Sequence, residues 1–80
     1  MDILKLTEFL VKQIVKDPDT VSTKQLDVEE EIIIEVLVDN SDMGQVIGKA
    51  GSTANAIRTI VQAAAYKTDR KRVKINIDSI

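Results

Sequence analysis

The sequence has no cysteine, no histidine and no tryptophan among its 80 residues. Without cysteine there is neither a disulfide framework nor a thiolate metal site. Without histidine the chain lacks the commonest general base and the commonest metal ligand of proteins. An enzyme would have to rely on carboxylates, and the sequence does not indicate that these converge. We therefore expect a non-enzymatic protein that carries no metal and no cofactor.

The sequence is also poor in long apolar runs. A helix needs roughly 20 apolar residues to cross a bilayer, and no stretch approaches that length. The N-terminus lacks the basic segment and apolar stretch of a secretory signal peptide. Eighty residues have the size of one domain. We expect a single cytoplasmic domain over residues 1–80, with no membrane partner and no small-molecule substrate.

The charges are divided unequally between the two halves of the chain. Residues 1–42 carry four basic and eleven acidic side chains, a net charge of -7, whereas residues 43–80 carry seven basic and two acidic ones, a net charge of +5. The total of -2 therefore hides a basic half. The distribution of charge is a better guide to a binding face than the total. The C-terminal half is the expected side for an anionic partner.

The apolar pattern predicts elements in the order helix, strand, strand, helix, helix, strand. Asp17-Pro18 ends the first helix, because proline disfavours helical conformation in the residue before it. The first two strands are expected to form a hairpin, and the whole fits an α+β domain with a three-stranded sheet and helices on one face. The helices are predicted at residues 2–16, 42–47 and 52–66, and the strands at 20–27, 31–38 and 73–77.

The same periodicity predicts which residues form the core. Alternation in the second strand places four aliphatic side chains on one face, namely Ile32, Ile34, Val36 and Val38. Helical spacing predicts a buried stripe in the first helix at Ile3, Leu6, Leu10 and Ile14, and another in the last helix at Ala54, Ile57, Ile60, Val61 and Ala64. The three glutamates at 29–31 are interpreted as a solvated hairpin end, not as a metal or basic-partner site.

All three glycines of the chain fall within residues 44–51. Gly48 and Gly51 flank Lys49-Ala50, and a predicted helix starts directly after them. Glycine tolerates positive φ and allows another chain to approach the backbone closely. A helix N-terminus offers unpaired N–H groups and the positive end of its dipole to an anion. The stretch is therefore predicted to be a basic turn that holds a phosphate.

Other interpretations of the turn fit less well. A nucleotide-binding P-loop has four residues between its glycines and a serine or threonine after the lysine, whereas three residues separate Gly44 from Gly48 and Ala50 follows Lys49. An RRM or an OB-fold needs stacking aromatic residues, and the chain has one tyrosine and one phenylalanine. A turn that only packs stays an alternative, although packing requires no lysine between two glycines.

Residues 46–51, Val-Ile-Gly-Lys-Ala-Gly, lie between two predicted helices and resemble the VIGxxG signature of KH domains. The GXXG turn of a KH domain clamps the backbone of about four nucleotides. The element order is similar to the type II, bacterial arrangement, α-β-β-α-α-β. Together with Asp17-Pro18-Asp19 and the segments 56–59 and 63–65, the signature resembles the small single-KH proteins of the KhpA family. The resemblance covers the whole chain and implies a type II KH fold.

The resemblance implies binding of single-stranded RNA through the turn. A phosphate would lie against the backbone at Gly48 and Gly51, with Lys49 supplying charge. Ile47 is expected to point into the core and Val46 to border an apolar groove. Arg58 either reaches a phosphate or is a plain surface arginine, and the basic segment 67–74 either extends the RNA track or is a solvated connector. The predicted RNA-binding residues are Val46, Ile47, Gly48, Lys49, Ala50, Gly51, Ser52 and Arg58.

The resemblance also implies partners and a cellular role. It implies assembly as a homodimer or with a KH protein of the Jag (KhpB) type, and a role as an RNA chaperone or post-transcriptional regulator linked to cell elongation, division and cell-wall homeostasis. Because Ala50 supplies no second cation to the turn, we expect weak RNA binding of low specificity by one domain. The alternative is a protein-interaction module in which Met43, Val46 and Ile47 face a partner protein.

Overall fold

A computed structural model describes residues 2–68 and 71–80 of the chain. Short 3-10 turns precede β1, precede α2 and lie between α2 and α3. The order of the elements is the α-β-β-α-α-β order that the sequence predicts. The helices are α1 (Ile3–Lys12), α2 (Met43–Ile47) and α3 (Ser52–Thr68), and the strands are β1 (Ser22–Val28), β2 (Glu31–Val38) and β3 (Arg72–Ser79).

Helix α1 begins at an aspartate cap and ends earlier than predicted. The Asp2 carboxylate accepts hydrogen bonds from the amides of Leu4 and Lys5, at 3.0 and 3.2 Å, as expected of an N-cap. The helix ends at Lys12 and not at residue 16. Ile3 is buried as predicted, but after it the buried line is shifted by one position, so Leu6, Leu10 and Ile14 are half-buried flanks. The residues that α1 and its C-terminal extension bury are Ile3, Thr7, Val11 and Val15.

The sheet has the strand order β1-β2-β3. Strands β1 and β2 form the predicted antiparallel hairpin, with Gln25 opposite Ile34. Strand β3 runs parallel to β2, with Ile75 opposite Ile34, so the return path needs a helical crossover, which α2 and α3 provide. The four aliphatic residues predicted on one face of β2 are all buried. The helices cover that face, and the fold is an α+β, type II KH fold.

The buried stripe of α3 differs from the prediction at two positions. Ile60 is 48% exposed, and Ala64 is only half-buried. Ala65 is buried instead, and it continues the line of Ala54, Ile57 and Val61. At 100° per residue, Ile60 lies about 100° around the helix from the middle of that line. The helix therefore packs along a narrow strip, and Ile60 faces away from the core.

Candidate nucleic-acid interface

The turn between α2 and α3 has a backbone that only glycine adopts at its first position. Gly48 has φ 77° and ψ 172°, a combination that is essentially restricted to glycine. The following helix begins so close to Gly48 that the Thr53 backbone and side chain occupy the place of a Cβ. The turn closes on itself, because the Gly51 amide donates to the Gly48 carbonyl oxygen at 3.1 Å. Gly48 is thus required by both conformation and space.

The two central residues of the turn form its exposed tip. Lys49 and Ala50 are exposed. Ala50 has φ 55° and ψ 27°, a left-handed conformation that is uncommon for alanine. A right-handed residue followed by a left-handed one turns successive N–H groups towards a common point, which makes a concave anion-binding site. The described geometry has this form directly before the first turn of α3, with a lysine at its rim.

The structure reverses the expected roles of Val46 and Ile47. Val46 is fully buried, and Ile47 is half-buried. The reason is the phase of α2: Met43 and Val46 are three residues apart on the helix face that packs into the core, and Ile47 lies one position beyond that face. Ile47 is therefore the aliphatic side chain beside the turn, and Val46 anchors the turn to the core.

Arg58 lies in α3, nearly two helical turns after the first residue of the helix. Its Nε and Nη2 atoms donate to the carbonyl oxygen of Ile75 in β3, at 3.3 and 3.2 Å, and Nη1 donates to Asn55 Oδ1 at 3.3 Å. Arg58 is therefore not a freely mobile surface arginine. Its guanidinium is held between α3 and the edge of the sheet.

Gln62 is a structural residue of this region that sequence reasoning missed. Its Nε2 donates to the carbonyl oxygen of Lys71 at 2.9 Å, and its Oε1 accepts from the amide of Val73 at 2.8 Å. Gln62 and Arg58, four residues apart, thus bind backbone groups along the free edge of β3. A polar i, i+4 pair on the outward face of a helix that precedes an edge strand is the signal that was available in the sequence.

A groove between α3 and β3 continues from these residues. One part, about 440 Å³ in volume, is lined by Arg58, Thr59, Gln62, Ala63, Tyr66 and Val73. A neighbouring part, about 480 Å³, lies over β3 and is lined by Glu31, Arg58, Arg72, Val73, Lys74, Ile75 and Asn76. Arg58 belongs to both parts. Of the basic segment 67–74, residues 69 and 70 lie outside the described residues, and Arg72 and Lys74 line the groove.

The acidic and the basic half of the chain supply opposite edges of the sheet. Strands β1 and β3 are opposite edges of the sheet. On the β1 side, Glu8 of α1 accepts from Lys12 at 2.9 Å and from the Thr23 hydroxyl at 3.4 Å, and the hydrogen bond and charge of Lys12 lower the pKa of the Glu8 carboxyl. On the β3 side, Arg58, Arg72 and Lys74 line the groove together with one acidic residue, Glu31. The charged lining of the groove is therefore mainly cationic.

Comparison with known proteins identifies the family. A sequence model of the KhpA/KhpB KH domain matches residues 5–77. The chain belongs to the KhpA/KhpB KH domain family. This match confirms the resemblance to the KhpA family. Because the family is not enzymatic, the match also confirms the expectation of a non-enzymatic protein.

Relatives with the name RNA-binding protein KhpA resemble the chain over most of its length. The protein from Clostridium perfringens is 46% identical over 69 residues, which are 86% of this chain and 92% of the relative. The protein from Caldanaerobacter subterraneus is 45% identical over 73 residues, 91% of this chain and 96% of the relative. The protein from Borreliella burgdorferi is 42% identical over 74 residues, 92% of this chain and 89% of the relative.

Solved structures of Era share the fold of this KH domain. A variant of Aquifex aeolicus Era bound to GDP and aluminium fluoride aligns with a TM-score of 0.71 at 12% identity, over 98% of this chain and 30% of Era. Era in complex with MgGDPNP and nucleotides 1506–1542 of 16S ribosomal RNA aligns with a TM-score of 0.67 at 14% identity, over 96% of this chain and 29% of Era. The likeness is one of fold, and this chain spans less than a third of Era.

No group of three or more metal-ligating side chains occurs in residues 2–68 and 71–80. No helix in the same residues has the length and apolar character that a membrane span requires.

Proposed function

We propose that this KH domain binds single-stranded RNA, with a backbone phosphate at the tip of the glycine turn and bases along the α3–β3 groove. The observation that carries the proposal is the left-handed Ala50 after Lys49, directly before the first turn of α3. The names of the KhpA relatives, and an Era complex that contains ribosomal RNA, support the choice of RNA as the ligand.

The turn supplies the phosphate site. The amides of Lys49 and Ala50 would donate to phosphate oxygens, and the Lys49 ammonium would add the charge term. Ser52 and the first turn of α3 add the positive end of the helix dipole. Glycine at positions 48 and 51 keeps side chains out of the path of the nucleotide backbone. All of these groups act on the phosphate and not on the base, so the turn itself carries no sequence preference.

The groove supplies the base site. Tyr66, which is 53% exposed, offers apolar surface in the groove, and Ile47 would add aliphatic surface beside the turn. Arg72 and Lys74 face the open part of the groove and extend the phosphate track beyond Arg58. A track from the turn to β3 fits the KH mode, in which bases lie in an apolar groove with few aromatic partners. A single short site of this kind gives modest affinity, and a second site in tandem raises it by avidity.

The proposal extends to assembly and place of action. We propose that residues 1–80 work as one KH domain in the cytoplasm, as a homodimer or with a second KH protein of the KhpB type. The role that fits is that of an RNA chaperone or post-transcriptional regulator connected with cell elongation, division and cell-wall homeostasis. The proposed assembly, location and cellular role are supported by family membership alone.

A second candidate function is protein interaction through α3. Ile60 and Tyr66 are both about half exposed on this helix, and aromatic and aliphatic anchors of this kind are typical of interface centres. The interaction surface would then include α3 and not Val46, which is buried. If protein interaction is the main function, the turn contributes to assembly and RNA binding has a minor role.

Two double variants with equal charge changes separate these functions. Lys49→Asp/Ala50→Asp changes the turn, and Lys24→Asp/Ser22→Asp makes the same charge change on the exposed residues of β1. We expect short single-stranded RNA to bind the wild type and the β1 variant, with log K falling by about 0.7 per neutralised phosphate per log unit of salt. The turn variant should lose binding at unchanged molecular mass. Equal loss in both variants, or a changed mass with RNA binding intact, would overturn the proposal.

A further inference from the structure

Asp42 is the buried carboxylate of the described chain. It is 2% exposed, and the other buried polar side chain is Thr7. The Asp42 Oδ1 atom accepts a hydrogen bond from the backbone amide of Lys16 at 3.0 Å. Its Oδ2 atom is buried without a hydrogen-bond partner among the residues that the structure describes. Burial of a carboxylate is costly unless its oxygens are satisfied, so this residue calls for a physical explanation.

The hydrogen bond of Asp42 connects two distant segments of the chain. Lys16 follows the C-terminal end of α1, and Asp42 directly precedes α2, 26 residues later. An aliphatic residue would fill the same buried space without the cost of a charge. It could not hold the Lys16 amide, which would then lose its partner. The specific effect of the carboxylate is therefore to fix the start of α2 against the end of α1.

Helix α2 is too short to fix its own direction. It has five residues, well below the length at which a helix is stable by itself. Its position therefore depends on what holds its two ends. Val46, fully buried, holds the end next to the turn, and Asp42 holds the beginning. Because α2 leads directly into Gly48, a shift of its first residue is transmitted to the turn over about one and a half helical turns.

We propose that Asp42 is the positioning residue of the glycine turn: through its bond to the Lys16 amide it sets the direction of α2 and thereby the geometry of Lys49 and Ala50. The predicted effect on RNA affinity rests on the proposed function. The predicted effect on the conformation of the turn is independent of it. Asp42 is 2% exposed, so it would act on RNA binding through the turn and not by direct contact.

The test compares Asp42→Ala and Asp42→Asn with Thr7→Val. Thr7 is the matched control, because it is also a fully buried polar residue, and its hydroxyl donates to the Ile3 carbonyl oxygen at 2.8 Å within α1. The asparagine variant keeps an oxygen that accepts from Lys16. All proteins are measured in the same concentration of sucrose, which restores the folded population of a destabilised variant. Two readouts are used: the amide NMR signals of residues 49–51 and the affinity for a short single-stranded RNA.

We expect Asp42→Ala to shift or broaden the amide signals of the turn and to weaken RNA binding by about tenfold. Asp42→Asn should keep the turn signals and the RNA affinity of the wild type. Thr7→Val should also leave both unchanged, although it lowers stability. Turn signals in Asp42→Ala that match those of Thr7→Val would overturn the proposal. So would an equal loss of affinity in these two variants. If the wild type itself binds no RNA, the proposed function fails, and the NMR signals still decide whether Asp42 positions the turn.

Discussion

Gly48 lies so close to Thr53 that an ideal Cβ on Gly48 would stand 2.7 Å from the Thr53 backbone nitrogen. The first residue of the turn and the first turn of α3 therefore exclude any side chain between them. A Cβ on Gly51 would find its nearest neighbour, Asn55 Nδ2, at 3.7 Å, and a Cβ on Gly44 would meet nothing within 4 Å. The structure therefore tolerates a side chain least at Gly48, better at Gly51 and best at Gly44.

Alanine substitutions at the three glycines should follow that order. Gly48→Ala is expected to lower the free energy of unfolding by more than about 2 kcal/mol, since strain at positive φ and a backbone clash both apply. Gly51 also has a positive φ, 78°, but room for a Cβ, so Gly51→Ala should cost about 1 kcal/mol from the backbone conformation alone. Gly44→Ala should stabilise by about 0.5 kcal/mol, as alanine is the better helix former. Urea unfolding followed by circular dichroism measures all three, and equal effects at Gly48 and Gly44 would contradict the described turn.

The left-handed conformation of Ala50 predicts a stabilising substitution. Asparagine adopts this conformation more readily than alanine, so Ala50→Asn should raise the free energy of unfolding by a few tenths to about 1 kcal/mol. Ala56, which is exposed in the regular part of α3, provides the control, because Ala56→Asn should lower it by about 0.5 kcal/mol. The same sign of change at both positions would mean that Ala50 is not left-handed in solution.

The hydrogen bonds of Gln62 predict a local effect on β3. Gln62→Ala removes the bonds to Lys71 and Val73 and should cost about 1–3 kcal/mol, because backbone groups of the strand lose their partners. Amide hydrogen exchange of Val73 should become faster. Gln45→Ala, at an exposed position of α2, should leave Val73 unchanged. Slow exchange of Val73 in the Gln62 variant would show that another group protects the β3 edge.

Asp39 predicts a dependence of stability on pH. The hydroxyl and the amide of Ser41 both donate to its carboxylate, the amide at 3.0 Å, and these bonds lower the pKa of Asp39 below its ordinary value of 3.8. A lowered pKa in the folded state adds stability above the unfolded pKa, and this contribution disappears as the pH falls through the folded pKa. Wild type should therefore be more stable than Asp39→Ala near neutral pH, with a difference that shrinks below pH 3.8. A difference that is constant with pH would contradict this assignment.

The sequence alone predicted the parts of the molecule that depend on local pattern. The aliphatic face of β2 was predicted in full, since a central strand covered by helices keeps its period of two over the whole length. The residues of the turn were predicted because their glycines are concentrated in one place. Membership of the KhpA/KhpB KH domain family confirms the fold that this turn and the order of the elements implied.

Features that depend on distant residues were not predicted. Helix α1 ends at Lys12, and four residues later the Lys16 amide donates to Asp42, which is 26 residues further along the chain. No local pattern contains that bond. Val46 and Ile47 were interchanged because the phase of a five-residue helix is set by what it packs against. The role of Gln62 was not predicted, because its i, i+4 spacing from Arg58 marks a polar pair but does not identify the backbone groups that the pair binds.

The measurement that tests RNA binding by this site most directly is an NMR titration of the labelled protein with a short single-stranded RNA. We predict that the amide signals of Lys49, Ala50 and Gly51 shift first, together with those of Arg58 and Lys74 across the groove. Signals of β1, on the opposite edge of the sheet, should stay in place. Shifts confined to β1 and α1, or spread evenly over the protein without a change at the turn, would contradict the proposed interface.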